Sequence, residues 1–270
     1  MLSVNTNSGA MVALQYLNQT NSQLTQTQSA ISTGLKVSGP KDDGAVYAIA
    51  QNMRANVAGY SSVTDSLNRG ISTIDVALSA GQSVSDLLVQ MKQKALTASD
   101  KSLDTASRTA MDKDFVALRD QITTIVNNAT FNGINMVDGS TKKISALAST
   151  DGTNVITVST KAMSLAALSV SITIGTQTTA YNALATLDTA QKTVTAALAY
   201  LAAGAKKYSI QAQFTQQLSD TVTTGIGNLV DADMAKESAL LTSLQTKQQL
   251  GIQALSIANQ APQTVLSLFK

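Results

Sequence analysis

From Met234 to Lys270 the chain can be read at alternating steps of three and four: Met234, Glu237, Leu241, Leu244, Gln248, Gly251, Leu255, Ala258, Pro262, Val265, Phe269. This 3.5-residue repeat keeps one helix face in register with a partner helix, as in a coiled-coil seam. Two features set it apart. Polar and small residues stand where Leu or Ile would be expected, and from Ser238 onward the only charged side chains are Lys247 and Lys270. A surface helix normally carries a charged outer face, so most of this one is expected to be covered.

The other end repeats the pattern. Residues 1–35 hold no Asp, Glu, Lys or Arg, and the same stepping runs Ala10, Leu14, Leu17, Asn21, Leu24, Gln28, Ile31, Leu35. Two uncharged heptad segments predict that the ends pair with each other and then with other chains. Two neutral surface helices on a monomer are the alternative, but such helices lack the ion pairs and burial that hold a lone helix. The expected self-assembly surface comprises Leu14, Leu17, Leu24, Ile31 and Leu35, with Met234, Leu241, Leu244, Leu255, Ala258, Val265, Leu268 and Phe269.

Between the ends the chain reads as mainly α, a long antiparallel helical bundle or coiled coil. Hydrophobic residues make up 44% but aromatics only 4%, with two prolines in 270 residues, which suits long helices with small-residue seams. The first helix spans Val4 to Thr33, with Gly34 as its stop. A loop over 34–45 contains Asp42 and Asp43; two adjacent carboxylates without further ligands read as turn and capping residues rather than a cation site. From Ala45 the seam resumes for about 50 residues, roughly 75 Å of helix. Gly59, Gly70 and Gly81 recur in it every 11 residues, marking close backbone approach or a break near Asn68–Gly70.

Residues 99–105 read as a turn with Asp104 or Thr105 capping a third, amphipathic helix that stops at Gly133. Over 134–179 the pattern changes to a small antiparallel β-region of three or four strands. Asp138–Gly139 and Asp151–Gly152 read as turns, and Val170, Ile172 and Ile174 alternate with Ser171 and Thr173. A return helix begins near Ala180 and runs to Leu229, and Asp231 or Asp233 caps the terminal segment. The expected domains are 1–35 with 234–270 as an inner coiled coil, 36–133 with 180–233 as a long-helix bundle, and 134–179 as its β tip.

Several functions are excluded. With no Cys or His there is no disulfide framework, thiol or imidazole chemistry, or zinc site. Phosphate-binding glycine loops are absent, and Glu237, the only glutamate, sits in a heptad. No catalytic, cofactor or metal residue is expected. A net charge of +2 without a basic patch argues against nucleic acid, and no apolar run is long enough to insert in a membrane.

The sequence resembles bacterial flagellin over nearly its whole length. The likeness rests on NTNSGAMVALQYLN near the start, STGLKVSGPKDDGAVYAIAQNM at 32–53, SLNRGISTIDVAL at 66–78, FNGINMVDG at 131–139, DADMAKESA at 231–239 and ANQAPQTVLSLFK at 258–270. It is similar to the short members that lack large outer domains. The resemblance implies a helical homopolymer used for swimming, exported unfolded by the flagellar secretion apparatus and extracellular. It also implies partners: the flagellar cap, hook-associated proteins, and an export chaperone that binds the C-terminus. A hook–filament junction protein, which shares the terminal helices, is the alternative.

Overall fold

A computed structural model describes residues 6–267, with side chains described to residue 260. The described elements run α1 (Ser8–Thr33), α2 (Gly44–Ala98), α3 (Thr105–Asn128), β1 (Thr130–Phe131), β2 (Ile134–Asn135), β3 (Lys143–Leu147), β4 (Val155–Ser159), α4 (Leu165–Leu168), α5 (Gln177–Val230) and α6 (Met234–Ser267). The chain is mainly helical, with antiparallel β pairs in mid-chain as expected. It divides into two compact units: Met1–Ala55 with Thr221–Lys270, and Asn56–Asp220.

Carboxylates begin α2, α3 and α6. Asp43 accepts from the N–H groups of Ala45 and Val46, each at 3.0 Å, and Asp104 accepts from Ser107 N–H at 3.3 Å. Asp233 rather than Asp231 caps α6, accepting from Ala235 and Lys236 at 3.0 and 3.1 Å. Each capping oxygen satisfies donors that have no partner within the first helical turn. At the start of α5, Thr176 and Thr179 exchange side-chain-to-backbone bonds, so the helix begins at Gln177, ahead of Ala180.

In the unit 56–220 the core is continuous. Val63, Leu67, Ile74, Val84, Leu88 and Met91 of α2 are buried with Phe115 and Ile122 of α3 and Leu187, Val194, Leu201 and Tyr208 of α5. Of the two readings of the glycines in α2, the break near Gly70 is not found: the helix is unbroken over Gly44–Ala98. The glycines mark close approach instead. A Cβ at Gly59 would meet Thr150 at 2.8 Å, one at Gly70 the Tyr208 ring at 2.6 Å, and one at Gly81 Leu198 at 2.7 Å.

The β-region also differs from expectation. It forms two separate ladders, β1–β2 and β3–β4. Helix α3 ends at Asn128, and Asn132–Gly133 is not its stop but the two-residue turn of the first hairpin, both residues at positive φ (48° and 77°). Asp151–Gly152 lies between β3 and β4 as expected, whereas Asp138–Gly139 joins strands that do not pair. Val170–Ile174 is not a strand. Its alternation reflects burial alone, Val170 and Ile174 being buried and Ser171 and Thr173 exposed. Among the described residues no strand pairs with it, and Ile174 N–H donates to the Asp112 carboxylate at 2.6 Å.

Two polar side chains close helix ends. The buried Arg108 guanidinium donates to the carbonyls of Ala98 and Asp100 at 2.8 Å and Leu103 at 3.1 Å, capping the end of α2 with a cation. Asn135 donates to Val126 O at 2.7 Å and accepts from the N–H groups of Val137 and Asp138.

Candidate assembly surface

The terminal unit is built around the antiparallel pairing of α1 with α6. Its root is a β-like bracket. Leu35 bridges Asp231, the N–H groups of Lys36 and Val37 reach Val230 O at 2.8 and 3.3 Å, and Ala232 N–H reaches Gly34 O at 2.9 Å. Lys36 Nζ donates to Asn228 O at 3.0 Å, placing a cation at the end of α5. Val37, Ala50 and Val230 form a small core there, flanked by Leu35, Tyr47 and Leu229. In the preceding loop Asp42 accepts from the Ser38 hydroxyl at 2.8 Å and from the N–H groups of Gly39 and Ser38. These donors, the Ser38 hydroxyl foremost, hold its carboxyl below the usual carboxylate range. The Asp42–Asp43 pair therefore serves turn and cap, and no cluster of three metal-ligating side chains exists among the described residues.

Along the pair, α6 uses the expected seam: Glu237, Leu241, Gln248, Gly251, Leu255 and Ala258 are half-buried, and Leu244 is 2% exposed. Helix α1 meets it with two rows. Ala10, Leu17, Leu24 and Ile31 form one, as expected; Ala13, Thr20, Thr27 and Gly34 form the other, and of the residues expected there Asn21 and Leu35 are half-buried beside it whereas Leu14 and Gln28 are exposed. Close packing explains the second row, since small residues beside a leucine row let the backbones approach. A Cβ at Gly251 would lie 3.3 Å from Leu17 Cδ1. Polar contacts set the register: Gln248 Nε2 donates to Asn21 Oδ1 at 2.7 Å and Asn7 Nδ2 to Ala258 O at 2.7 Å.

Of the residues expected in the self-assembly surface, Leu17, Leu24, Ile31, Leu35, Leu241, Leu244, Leu255 and Ala258 are thus buried or half-buried within one chain. Leu14 (48%) and Met234 (44%) face outward. The side chains of Val265, Leu268 and Phe269 lie outside the described residues. Sequence reading did not name the larger outward set. Met11, Val12, Tyr16, Leu250, Ile252 and Ile257 are all exposed, and they cluster where the N-terminal half of α1 runs beside the C-terminal half of α6. The signal that could have found them is the missing charge, because without Lys or Glu nothing marks a solvent face.

The bacterial flagellin N-terminal helical region matches residues 4–142 and the bacterial flagellin C-terminal helical region residues 184–269. The chain belongs to the bacterial flagellin family. This flagellin is 52% identical to flagellins FljM and FljK of Caulobacter vibrioides, over 99% of its own length and 98% of theirs. It is 36% identical to a flagellin of Brucella melitensis, with 100% of both chains covered. It is therefore a short-form structural subunit of the flagellar filament, an extracellular assembly. A crystal structure of Bacillus cereus flagellin aligns over 54% of this chain and 86% of that one, with a TM-score of 0.50 at 20% identity. A structure described as a flagellar hook-associated protein from Vibrio parahaemolyticus aligns over 70% of this flagellin and 100% of its own length, with a TM-score of 0.59 at 13% identity. The hook-associated likeness is one of fold alone, whereas the flagellin likeness runs through the sequence. No helix among the described residues is long and apolar enough to cross a membrane.

Proposed function

We propose that this flagellin polymerises through the outward faces of its terminal pair, with the seam residues Leu17, Leu24, Ile31, Leu35, Leu241, Leu244, Leu255 and Ala258 holding the pair in shape for that contact. One observation carries the reading. The pair exposes Met11, Val12, Leu14, Tyr16, Leu250, Ile252 and Ile257 on helices that carry almost no charge. A lone two-helix pair with little buried surface is marginal in water, and exposed contiguous apolar area on a soluble chain marks an interaction face. Neighbouring copies remove both problems together. Such contacts use different faces of each subunit and do not close, which produces an open fibre.

The same chemistry supports the finer points of the reading. A cysteine-free chain can pass unfolded into an oxidising exterior without forming wrong disulfides. Uncharged ends pass a narrow conduit without ionic sticking, which fits export of the unfolded chain by the flagellar secretion apparatus. The exposed apolar side of α6 suits an export chaperone before assembly, and the flagellar cap and hook-associated proteins would adjoin the same helices at the filament ends. The chain acts as a structural element with no cofactor.

The test is deletion of residues 234–270. The truncated chain is expected to keep the cooperative melting of residues 56–220 in circular dichroism and to form no fibres in electron micrographs. Normal filaments from it would remove the terminal pair from the assembly mechanism.

A further inference from the structure

Around the β3–β4 hairpin, residues 56–220 gather cations that no carboxylate balances. Lys142, Lys143, Lys161, Lys206 and Lys207 are all exposed, and none is in an ion pair among the described residues. Strand register brings the first of them together: Lys143 pairs with Ser159, and Thr160 N–H donates to Lys142 O at 3.2 Å. Helix α5 then meets β4 at three points. Tyr200 Oη accepts from Ser159 N–H at 3.4 Å, a Cβ at Gly204 would lie 2.7 Å from Val158, and Tyr208 Oη donates to Ile156 O at 3.1 Å. The helix therefore runs antiparallel to β4, and Lys207, about two turns on from Tyr200 and on the same helix face, stands beside that strand. No long run of cations marks this face in the sequence, because its lysines come from positions spread between 142 and 207.

Neighbouring groups organise these charges. Lys161 Nζ sits 4.5 Å from the Tyr200 ring centroid, so a cation–π contact holds that ammonium over the ring. Hydrogen bonding from Ser159 foremost, and then the charges of Lys161 and Lys207, lower the Tyr200 phenol from its ordinary 10.0, which puts both ammonium groups within electrostatic reach of it. Asp138, the carboxylate in the loop before Lys142, is engaged by the Ser140 hydroxyl at 2.8 Å. Beside the lysines the hairpin turns hydroxyls outward. Ile144, Ala146 and Val158 are buried on its inner face, while Ser145, Thr157 and Ser159 are exposed on the other face with Lys143.

Unbalanced cations edged by hydroxyls fit a partner that repeats negative charge and also carries hydroxyls. We propose that this face binds an acidic polysaccharide, whose carboxylates meet Lys143, Lys161 and Lys207 while its hydroxyls meet Ser145, Thr157 and Ser159. Single-stranded nucleic acid fits less well. It is held by bases stacked on exposed rings, and the ring here, Tyr200, already carries Lys161 on its face; the patch also lacks the guanidinium forks that match phosphate. The filament is extracellular, which brings this face to polymers of the medium. Tyr200 is a positioning residue that acts through Lys161, since an ammonium already held in place loses less freedom on binding.

The full chain is tested on immobilised polygalacturonate, a carboxylated polysaccharide, at about 0.1 M salt, where exposed charges still act over about 10 Å. Binding is expected there and not on neutral dextran, and it should weaken as salt rises. The variant K143Q/K161Q/K207Q should bind at least about tenfold more weakly. By contrast K41Q/K101Q/K113Q, which removes as many exposed cations from other places, should stay within about twofold of the unaltered chain. Every altered lysine is exposed and Tyr200 is 41% exposed, so each variant should melt like the unaltered chain by circular dichroism. Tyr200→Leu should weaken binding about threefold and Tyr200→Phe restore it, because phenylalanine keeps a ring under the Lys161 ammonium; equal loss in both overturns the positioning role. No binding to polygalacturonate, equal losses in the two lysine variants, or tighter binding to an oligothymidylate than to polygalacturonate each overturns the proposal. None of these residues lies in the terminal pair, so failure here leaves the filament reading standing.

Discussion

The terminal unit and residues 56–220 are made of the same kind of long, charge-poor helix, but they bury side chains very differently. In the second, α2, α3 and α5 share an unbroken apolar core, with Phe115, Leu67, Ile74 and Tyr208 sealed from solvent, and surface ion pairs such as Lys94–Asp114 at 2.7 Å decorate the outside. In the first, the α1–α6 seam buries little beyond Thr27, Ala30 and Leu244, and its root core is built on Val37, Ala50 and Val230. One part has an interior of its own; the other has half an interior and an exposed apolar face. Hydrophobic patterning alone is the same in both. What separates them is whether the apolar stripe is matched inside one chain.

That contrast is broken most directly by paired core truncations. Phe115→Ala should cost about 3–5 kcal/mol in the unfolding of residues 56–220, as for a fully buried aromatic. Leu17→Ala, at a half-buried seam position, should cost less than about 1 kcal/mol in the same melt while raising the concentration needed for fibres. Equal shifts in thermal unfolding for the two would mean that the terminal pair has a core after all. Next in size is Arg108→Ala, which strips the carbonyls of Ala98, Asp100 and Leu103 of their charged donor; about 2–3 kcal/mol is expected by urea unfolding, with Arg108→Lys recovering only part of it because a single ammonium cannot span the three acceptors. Smaller again is Gly70→Ala. Its Cβ would stand 2.6 Å from the Tyr208 ring, so about 1–2 kcal/mol is expected from the displaced ring, whereas a stabilised protein would show that the ring can move aside.

Much of this was legible in the residues. The α6 seam from Glu237 to Ala258 followed directly from the stepping, and Asp43, Asp104 and Asp233 were readable as caps because a cap and the helix it starts are neighbours in sequence. The second row of α1 was not, because apolarity nominates Leu14 while close packing beside a leucine row selects Ala13, Thr20 and Thr27. Gly70 was ambiguous since the ring it admits belongs to a helix far along the chain. Val170–Ile174 alternates like a strand because a segment lying on a core buries every second side chain whether or not another strand is present. Arg108 and Asn135 gave no signal, as their acceptors are carbonyls and every residue has one. The outward residues Met11, Val12, Tyr16, Leu250, Ile252 and Ile257 were not named, because on helices with almost no Lys or Glu no charge marks which side faces solvent.

The smallest expected effect concerns how the β3–β4 hairpin is held on the bundle. Tyr208 Oη lies 3.3 Å from Ile144 O and 3.1 Å from Ile156 O, one carbonyl from each strand, and burial pushes its phenol above the ordinary 10.0. In Tyr208→Phe those carbonyls lose their donor, and about 1 kcal/mol at neutral pH is expected. The sign with pH follows from the raised value. The folded state keeps the proton that the unfolded chain releases near 10.0, so the contribution is complete below that pH and is lost as pH rises through the folded value. The unaltered chain should therefore lose stability more steeply than the Phe variant above pH 10.0, and the two curves should converge. Parallel curves in alkaline urea titrations would mean that water already reaches the phenol, and that the hairpin is held without help from the hydroxyl, by packing such as that of Val158 on Gly204, where a Cβ would lie 2.7 Å from the valine.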